Sequence, residues 1–365
     1  MARPGLRPMR ALPLLEPRRG ALEKCVFCPK LCRSACPVSN ADTRETVTPW
    51  GKMSMSYFVA NGSVEAAPSF AAPAWACTGC FGCREHCDHE NDVTGTLFDS
   101  RSALVESGLG PEPARNVLQR FDGKTPPIAS VDRHVDAAAG TALLVGCAYG
   151  KHDAESRDAV RATTKLTGGK VALVDVCCGA PLLYAGDKTR FRQQGEMLAQ
   201  AVKHREQLVV VDAGCAAAIR VHHANAGVGM IAPVVHFAEL AARALGDLGR
   251  VELGPGPVRW HDPCQLGRGI GVYDQPRAVL ARAIGRTPDE FERRREDARC
   301  SGAGGLLPLT MPDVARAIAK QRLDDHGRSG GGTVVTACAS SLRSFRKEGA
   351  TAIDLVSVVA RALGC

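Results

Sequence analysis

A chain of 365 residues is too long for one small core and is read as two or three domains. Hydrophobic content of 45% with 23% charge excludes a disordered or fibrous chain, and no uninterrupted apolar run is long enough to span a bilayer. The formal net charge of +8 raises nucleic acid as a partner. No basic patch is interleaved with stacking aromatics, however, so no nucleic-acid partner is expected.

The first twenty residues, MARPGLRPMRALPLLEPRRG, carry five arginines (Arg3, Arg7, Arg10, Arg18 and Arg19). Pro13 breaks their one apolar stretch, so they are read as a flexible basic tail and not as a secretory signal. Sixteen cysteines follow, in tight groups rather than spread pairs. In a reducing cytosol that pattern favours metal ligands over a disulfide framework.

Residues 21–135 hold eight of them, as Cys25-x2-Cys28-x3-Cys32-x3-Cys36-Pro37 and Cys77-x2-Cys80-x2-Cys83-x3-Cys87. Three thiolates from one tight loop plus one from afar suit the four corners of a 4Fe–4S cubane. In paired-cluster ferredoxins the fourth cysteine of each run serves the other cluster. Cys25, Cys28, Cys32 and Cys87 are therefore assigned to one cubane, and Cys77, Cys80, Cys83 and Cys36 to the other. An extra residue between Cys28 and Cys32, and Asp88 in place of the usual proline, depart from that pattern without removing a ligand. The alternative is a pair of four-cysteine zinc sites, although zinc sites usually pair two Cys-x2-Cys hooks. Each cubane adds about two negative charges, which lowers the balance to roughly +4. His86 and His89 flank Cys87, either tuning a cluster by hydrogen bonds or simply exposed. The spacer between the runs holds a helical pattern around GKMSMSYFVANG (51–62).

DGKTPPIASVDRH (122–134) reads as a linker. Beyond it strand and helix signals alternate: a strand at 141–146, a helix from Asp153 to Leu166, and a strand at 170–175. A helix then runs from Asp187 to about Arg205, followed by a strand at 208–212. Continuous β-branched runs between helices argue for a parallel sheet covered on both faces. The block repeats: VVHFAELAARALG (234–246) aligns with AIDLVSVVARALG (352–364), and Cys147 and Cys177 match Cys264 and Cys300. Two copies of one α/β unit thus occupy 140–250 and 256–365. Each places cysteines just after predicted strands, the edge where ligands collect in an open parallel sheet.

The first copy reads Cys147, then Cys177-Cys178-Gly179, then Asp212-x2-Cys215. The second reads HDPCQLGRG (261–269), CSGAGG (300–305) and Cys338-x2-Ser341, with Pro276-Arg277 after the HDPC. This pattern resembles the CCG cysteine-rich domain family of iron–sulfur oxidoreductases. That family includes two of the subunits of heterodisulfide reductase. It also includes the iron–sulfur subunits of glycolate oxidase, anaerobic glycerol-3-phosphate dehydrogenase and the lactate-utilisation system. RETVTPWGKM (44–53), and His236 with Glu239, are similar to segments of those proteins. The cysteine spacing of 21–135 resembles the all-helical two-cluster domain of succinate dehydrogenase iron–sulfur subunits. The expected fold class is α/β with an N-terminal all-α part: a helical ferredoxin-type domain, then two repeated CCG domains with parallel sheets.

In the family the five motif cysteines hold a noncubane 4Fe–4S cluster that reduces a disulfide. The resemblance therefore implies a third cluster on Cys147, Cys177, Cys178 and Cys215, with Asp212 as a fifth, oxygen ligand. The second copy offers only Cys264, Cys300 and Cys338, with Ser301 and Ser341 in the other places. Those cysteines either bind metal or are small buried hydrophobes. The implied function is an electron-transfer subunit, since the chain has no flavin or nicotinamide fingerprint. Its implied partner is a flavoprotein dehydrogenase of hydroxy-acid or glycerol-phosphate type, with a quinone-reducing membrane subunit as a further candidate. The expected location is cytoplasmic, including peripheral attachment at the inner membrane face. Two alternatives stand beside it: a disulfide reductase with Cys177 and Cys178 as catalytic residues, and a zinc-stabilised scaffold. Cys365 is read as an incidental thiol. His222-His223 is a proton-donor pair near Cys215 or a solvated helix face. GAGG (302–305) is a turn that brings backbone to the Cys300 site.

Overall fold

The computed structural model describes residues 8–29 and 31–365, residue 31 by its backbone alone. The chain divides into two compact units. The first takes the described residues up to Phe121 together with Pro181–Thr189 and Arg299–Ala319; the second takes Asp122–Ala180, Arg190–Ala298 and Lys320–Cys365.

The first unit is helical, with its longer elements at Arg19–Val26, Pro49–Ala60, Val93–Glu106 and Glu112–Arg120. The helix anticipated around 51–62 starts at Pro49, whose missing N–H suits a first turn. Thr48 caps it by accepting from Gly51 N. The flexible tail expected for residues 1–20 is corrected by residues 8–20, while residues 1–7 lie outside the described part. Met9, Leu12 and Leu15 recur every third residue, Leu15 within the 3-10 helix Pro13–Arg18 and Leu12 as the residue that precedes it. All three are buried in the core with Leu22, Met53 and Leu97. Arg18 pairs with Asp92 at 3.2 Å and with Asp99 at 2.6 Å.

One buried cation organises this unit. Arg101 is fully buried and donates to Ala74 O, Cys77 O, Tyr184 O and Gly305 O at 2.9–3.0 Å. Burial lowers its pKa to about 10, opposed by the neighbouring Cys77 thiolate, so it stays charged at neutral pH.

The second unit holds two parallel sheets. The first has strands β1 (Thr141–Leu144), β2 (Ala172–Leu173), β3 (Gln207–Val210) and β4 (Val234–His236) in the order β2-β1-β3-β4. The second has β5 (Val258–Trp260), β6 (Thr333–Thr336) and β7 (Ala352–Asp354) in that order. Ala142 stands opposite Leu208, and Val334 opposite Ala352. The central strands β1 and β6 are buried along their whole length, which is why they read as continuous apolar runs. The helix Asp153–Thr167 ends where Gly168 takes φ 69°.

The strand expected over 170–175 shrinks to Ala172–Leu173, because the chain beyond it turns to pair with the supposed linker. Thr125 N donates to Asp175 O, Cys177 N donates to Gly123 O, and Lys124 bridges Val176. Residues 122–134 are therefore part of the second unit and not a free connection. The core is likewise continuous across the repeat, joining Leu143 and Val209 to Trp260, Val335 and Val359.

The repeat is visible in the caps. His236 begins the helix Phe237–Arg243, accepting from Ala238 N while Glu239 reaches back to its backbone N–H. Asp354, at the matching place, caps Leu355–Ala362 by accepting from Val356 N. The HDPC and PR segments meet in a buried ion pair. Both Asp262 oxygens accept from Arg277, at 2.7 and 2.8 Å, and Trp260 Nε1 and Arg295 N also donate to that carboxylate.

These buried charges are open to test. Arg101→Met strips a donor from four carbonyls, each worth about 1–3 kcal/mol when left unmade, so chemical unfolding should show a loss of at least about 3 kcal/mol. Burial raises the Asp354 carboxyl to about 7, above its unfolded value, although the hydrogen bonds from Val356 N and Tyr149 OH oppose the rise. The folded chain therefore binds this proton more tightly, and that stability is lost as pH rises to and through the folded value. The stability of wild type relative to Asp354→Asn should fall between about pH 4 and about pH 7. A flat difference would remove Asp354 from the account.

Candidate metal centres

The eight cysteines of the first unit form two interleaved sets. Cys25 feels the charges of Cys32, Cys87 and Cys28, and Cys83 those of Cys36, Cys77 and Cys80; Cys32 also feels Cys36 and is felt by Cys83 where the two sets adjoin. Cys36, Cys77, Cys80 and Cys83 also line one cavity together with Lys52. Each set thus draws three thiols from one run and one from the other. Phe81 takes φ 60° between Cys80 and Cys83, an uncommon backbone state for a side chain of that size.

Burial pushes the Cys25 thiol up to about 12 despite a 3.0 Å hydrogen bond from Asn91 Nδ2, and its neighbouring cysteines add repulsion. Burial likewise pushes Cys32 up to about 11, with Cys87 and Cys28 adding to it, and holds Cys83 well above the ordinary thiol value. Four such thiolates become tenable together only around a cation that offsets their repulsion. The donors therefore fit iron–sulfur clusters. A fully buried Lys52 ammonium aimed at Cys36 Sγ, 3.4 Å away, supports the same fit. A single tetrahedral zinc holds its sulfurs at about 2.3 Å.

One local turn recurs at three cysteines. In Cys77-Thr78-Gly79, Cys177-Cys178-Gly179 and Cys300-Ser301-Gly302 the glycine has φ 70°, 78° and 77°. Its N–H points back to the first cysteine's Sγ at 3.4, 3.5 and 3.3 Å. Glycine reaches this left-handed state without strain, and the amide hydrogen bond favours the charged thiolate. The GAGG segment was expected to bring backbone to Cys300. The structure lays it on the Cys77–Thr78 backbone instead: side chains at Gly304 and Gly305 would collide with those carbonyls.

In the second unit, Cys147 follows β1, Cys177-Cys178 follow β2, and Cys215 lies in the short helix Ala213–Ala217 after β3. The order β2-β1-β3 makes the β1/β3 boundary a topological switch point, where a crevice opens at the strands' carboxyl ends. The four thiols meet there. Cys147 Sγ is 3.9 Å from Cys177 Sγ, and Cys178 Sγ is 3.2 Å from Cys215 Sγ. Gly146 backs onto the site, where an added Cβ would lie 3.0 Å from Cys215 Sγ. Cys215 is pushed up to about 12, since burial and the Asp212 carboxylate outweigh the favourable Cys178 contact. A cavity of about 450 Å³ opens beside the site, lined by Val145, Gly146, Arg157, Val174 and Asp175.

Asp212, expected as a fifth ligand, is engaged elsewhere. Its Oδ1 accepts from Gly214 N and Cys215 N, and its Oδ2 accepts from Ala339 N at 3.3 Å. It is a helix cap that aims Cys215. The exposed reading of His222 and His223 is also corrected, since both are buried. His223 stacks on Phe191 with ring centres 4.0 Å apart and lies 2.8 Å from Cys178 O through Nε2. The segment Ala218–His223 is π-helical, as is Gln265–Gly269 after Cys264, and such turns recur at functional sites.

The second copy is less complete. Cys338 lies beside Asp212 and Ser341 and is pushed up to about 12 by burial and the Asp212 charge. Cys264 is half-buried next to Gln265, while Cys300 falls in the first unit. Cys365 packs at the core edge with its thiol toward Ala360 O, and His86 and His89 are exposed. Sequence reasoning missed Lys52, Asn91 and Arg101. Lys52 did carry a signal, being a lone charge within the buried stretch WGKMSMSYFVA.

Comparison with known proteins defines the class. Residues 21–91 match the 4Fe-4S dicluster domain, and residues 141–220 and 258–346 match the CCG cysteine-rich domain. This is therefore an iron–sulfur protein with a dicluster domain followed by a duplicated CCG cysteine-rich domain. The chain is 26% identical to one subunit of the dihydromethanophenazine:CoB–CoM heterodisulfide reductase of Methanosarcina barkeri, over 94% of both chains. It is 26% identical to one subunit of the fumarate reductase (CoM/CoB) of Methanothermobacter marburgensis, over 87% of this chain and 66% of that one. An EtfAB:quinone oxidoreductase of Syntrophomonas wolfei shares 25% identity over 63% of this chain and 36% of its own. The fold matches the crystal structure of a hypothetical protein from Helicobacter pylori with TM-score 0.59 and 10% identity, over 96% of this chain and 76% of that one. Among the described residues no helix is long and apolar enough to cross a membrane.

The glycine turn is testable. Gly168 and Gly179 both have left-handed φ, but only Gly179 is crowded, an added Cβ lying 3.1 Å from Gln194 and 3.2 Å from Phe191. Gly168→Ala should destabilise by about 1–2 kcal/mol through the backbone alone. Gly179→Ala should lose more on denaturant unfolding, and equal losses would refute the crowding.

Proposed function

We propose that this chain is the electron-transfer subunit of an oxidoreductase, carrying electrons between a flavoprotein dehydrogenase and an acceptor. The observation that carries the reading is the interleaving of eight thiols into two sets of four in the first unit. When bound, two 4Fe–4S clusters supply one-electron storage at those sets. The chain's own part is to hold the thiolates, donate Gly79 N–H and Lys52 Nζ to sulfur, and keep water from the buried members. The ligand roles of Cys25, Cys28, Cys32 and Cys87, and of Cys36, Cys77, Cys80 and Cys83, belong to this proposal. So does a third cluster on Cys147, Cys177, Cys178 and Cys215, which the sulfur contacts at the β1/β3 switch point support. The names of these three relatives, all reductases or oxidoreductases, support a multi-subunit setting. A hydroxy-acid or glycerol-phosphate dehydrogenase is the proposed donor. The proposed neighbour is a quinone-reducing membrane subunit, with this chain at a cytoplasmic or peripheral location.

A second reading has its own support. A cavity lined by Gly146 and Asp175, chain neighbours of Cys147 and Cys177, has room for a small disulfide next to the loops that carry the first copy's thiols. There the disulfide would take two electrons, delivered through the first unit, and two protons, to leave as two thiols. Cys177 and Cys178 are the residues proposed to touch it.

Anaerobic purification with iron, sulfide and zinc counted per chain tests both readings. About eight irons support the paired centres alone, and about twelve add the first-copy centre. Zinc with negligible iron after reconstitution would end the electron-transfer reading. Disulfide turnover that survives Cys177→Ala and Cys178→Ala would end the second.

A further inference from the structure

The two thiol sets of the first unit are surrounded differently. Around Cys36, Cys77, Cys80 and Cys83 the structure places two buried cations. Lys52 is 2% exposed, donates to Cys36 Sγ at 3.4 Å, and has no carboxylate partner among the described residues. Arg101 is 0% exposed, donates to Cys77 O, and is electrostatically coupled to the Cys77 thiolate. Around Cys25, Cys28, Cys32 and Cys87 the buried donor is the neutral amide of Asn91, 3.0 Å from Cys25 Sγ. Arg33, between Cys32 and Cys36, is exposed and paired with Glu45. Cys28, Cys32 and Cys87 are half-buried, and Phe27 beside them is 73% exposed. Three thiols of one set are half-buried, against Cys83 alone in the other, and only that other set has buried positive charge beside it.

We propose that Lys52 makes the Cys36/Cys77/Cys80/Cys83 centre the electron sink of the pair. The inference rests on the paired-cluster reading above. A cubane with four thiolates holds about two negative charges oxidised and about three after gaining one electron. A fixed cation in a low-dielectric site stabilises the more negative state, because burial keeps solvent from screening it. A neutral amide does so less, and exposed paired charges are screened. One electron thus leaves the Cys25/Cys28/Cys32/Cys87 centre, which is oxidised by one unit, and arrives at the Cys36/Cys77/Cys80/Cys83 centre, which is reduced by one. No proton or further reactant enters the exchange.

The test is a potentiometric titration of the full, reconstituted chain, followed by electron paramagnetic resonance. Wild type should show two one-electron couples from the first unit, told from any first-copy signal because Cys177→Ala leaves them unchanged. Cys80→Ser should alter the spectrum of the higher-potential species, and Cys28→Ser that of the lower. Lys52→Met should shift the higher couple down by at least tenfold in its equilibrium constant, about 59 mV for one electron. Lys52→Arg should retain most of the wild-type value, and the lower couple should not move in either variant. A higher couple unmoved in Lys52→Met overturns the proposal. So does a lower-potential species altered by Cys80→Ser, which decides the matter even where Lys52→Met fails to assemble. A wild-type chain that binds no pair of clusters instead defeats the underlying reading, and iron analysis of that same sample tells the two failures apart.

Discussion

The first unit depends on a buried cation, Arg101, that has no carboxylate partner among the described residues. Arg101 reaches carbonyls in three separate stretches of chain: the loop holding Ala74 and Cys77, the segment with Tyr184, and the segment with Gly305. A planar guanidinium offers five N–H donors in a fixed fork, so it alone among side chains can tie so many carbonyls at once. Lysine would supply the charge without the geometry. The loop presenting Cys77, Cys80 and Cys83 is thereby set against segments far along the chain. The lone charge also contributes to the field at Cys77.

Thiols are gathered by two different physical routes in this protein. In the first unit, short helices and tight turns project cysteines from irregular backbone, and enclosure comes from apolar neighbours with Lys52 and Asn91. In the second, regular parallel strands set the positions, since chain reversal after each strand leaves Cys147, Cys177-Cys178 and Cys215 at one sheet edge. The two routes share the Cys-x-Gly turn, in which a left-handed glycine aims its amide at sulfur. The same turn at Cys300 persists although Ser301 stands where the first copy has Cys178. The turn's geometry therefore outlasts the loss of a thiol, and the adjoining glycines pack against the Cys77–Thr78 backbone.

Much of the architecture was legible because periodic burial writes itself into residue type. The β1 and β3 runs, the helix Asp153–Thr167 and the repeat of the ARALG helix could all be read directly. The repeated helices even keep their caps, with His236 and Asp354 in one role. Misreadings fell where local composition and tertiary fate diverge. Arginine-rich residues 8–20 look like a tail, yet Met9, Leu12 and Leu15 between the arginines are buried in the core of the first unit. A Pro-containing polar stretch at 122–134 looks like a linker, yet its carbonyls and amides complete the turn before Cys177. Asp212 looks like a ligand by position, yet three backbone N–H groups claim its oxygens.

Residue order alone specified the chemistry and the modules: clustered cysteines at ferredoxin spacing, then two α/β copies with thiols after their strands. Those features are local or repeat at a fixed offset, so spacing and hydrophobic period suffice to reveal them. Which groups surround the thiols was settled by the folded arrangement. Lys52 lies sixteen residues from Cys36, and Arg101 lies eighty-three residues from Tyr184 and 204 from Gly305. Buried charge is placed by long-range packing and by which carbonyls lack donors, and no local pattern along the chain encodes that outcome.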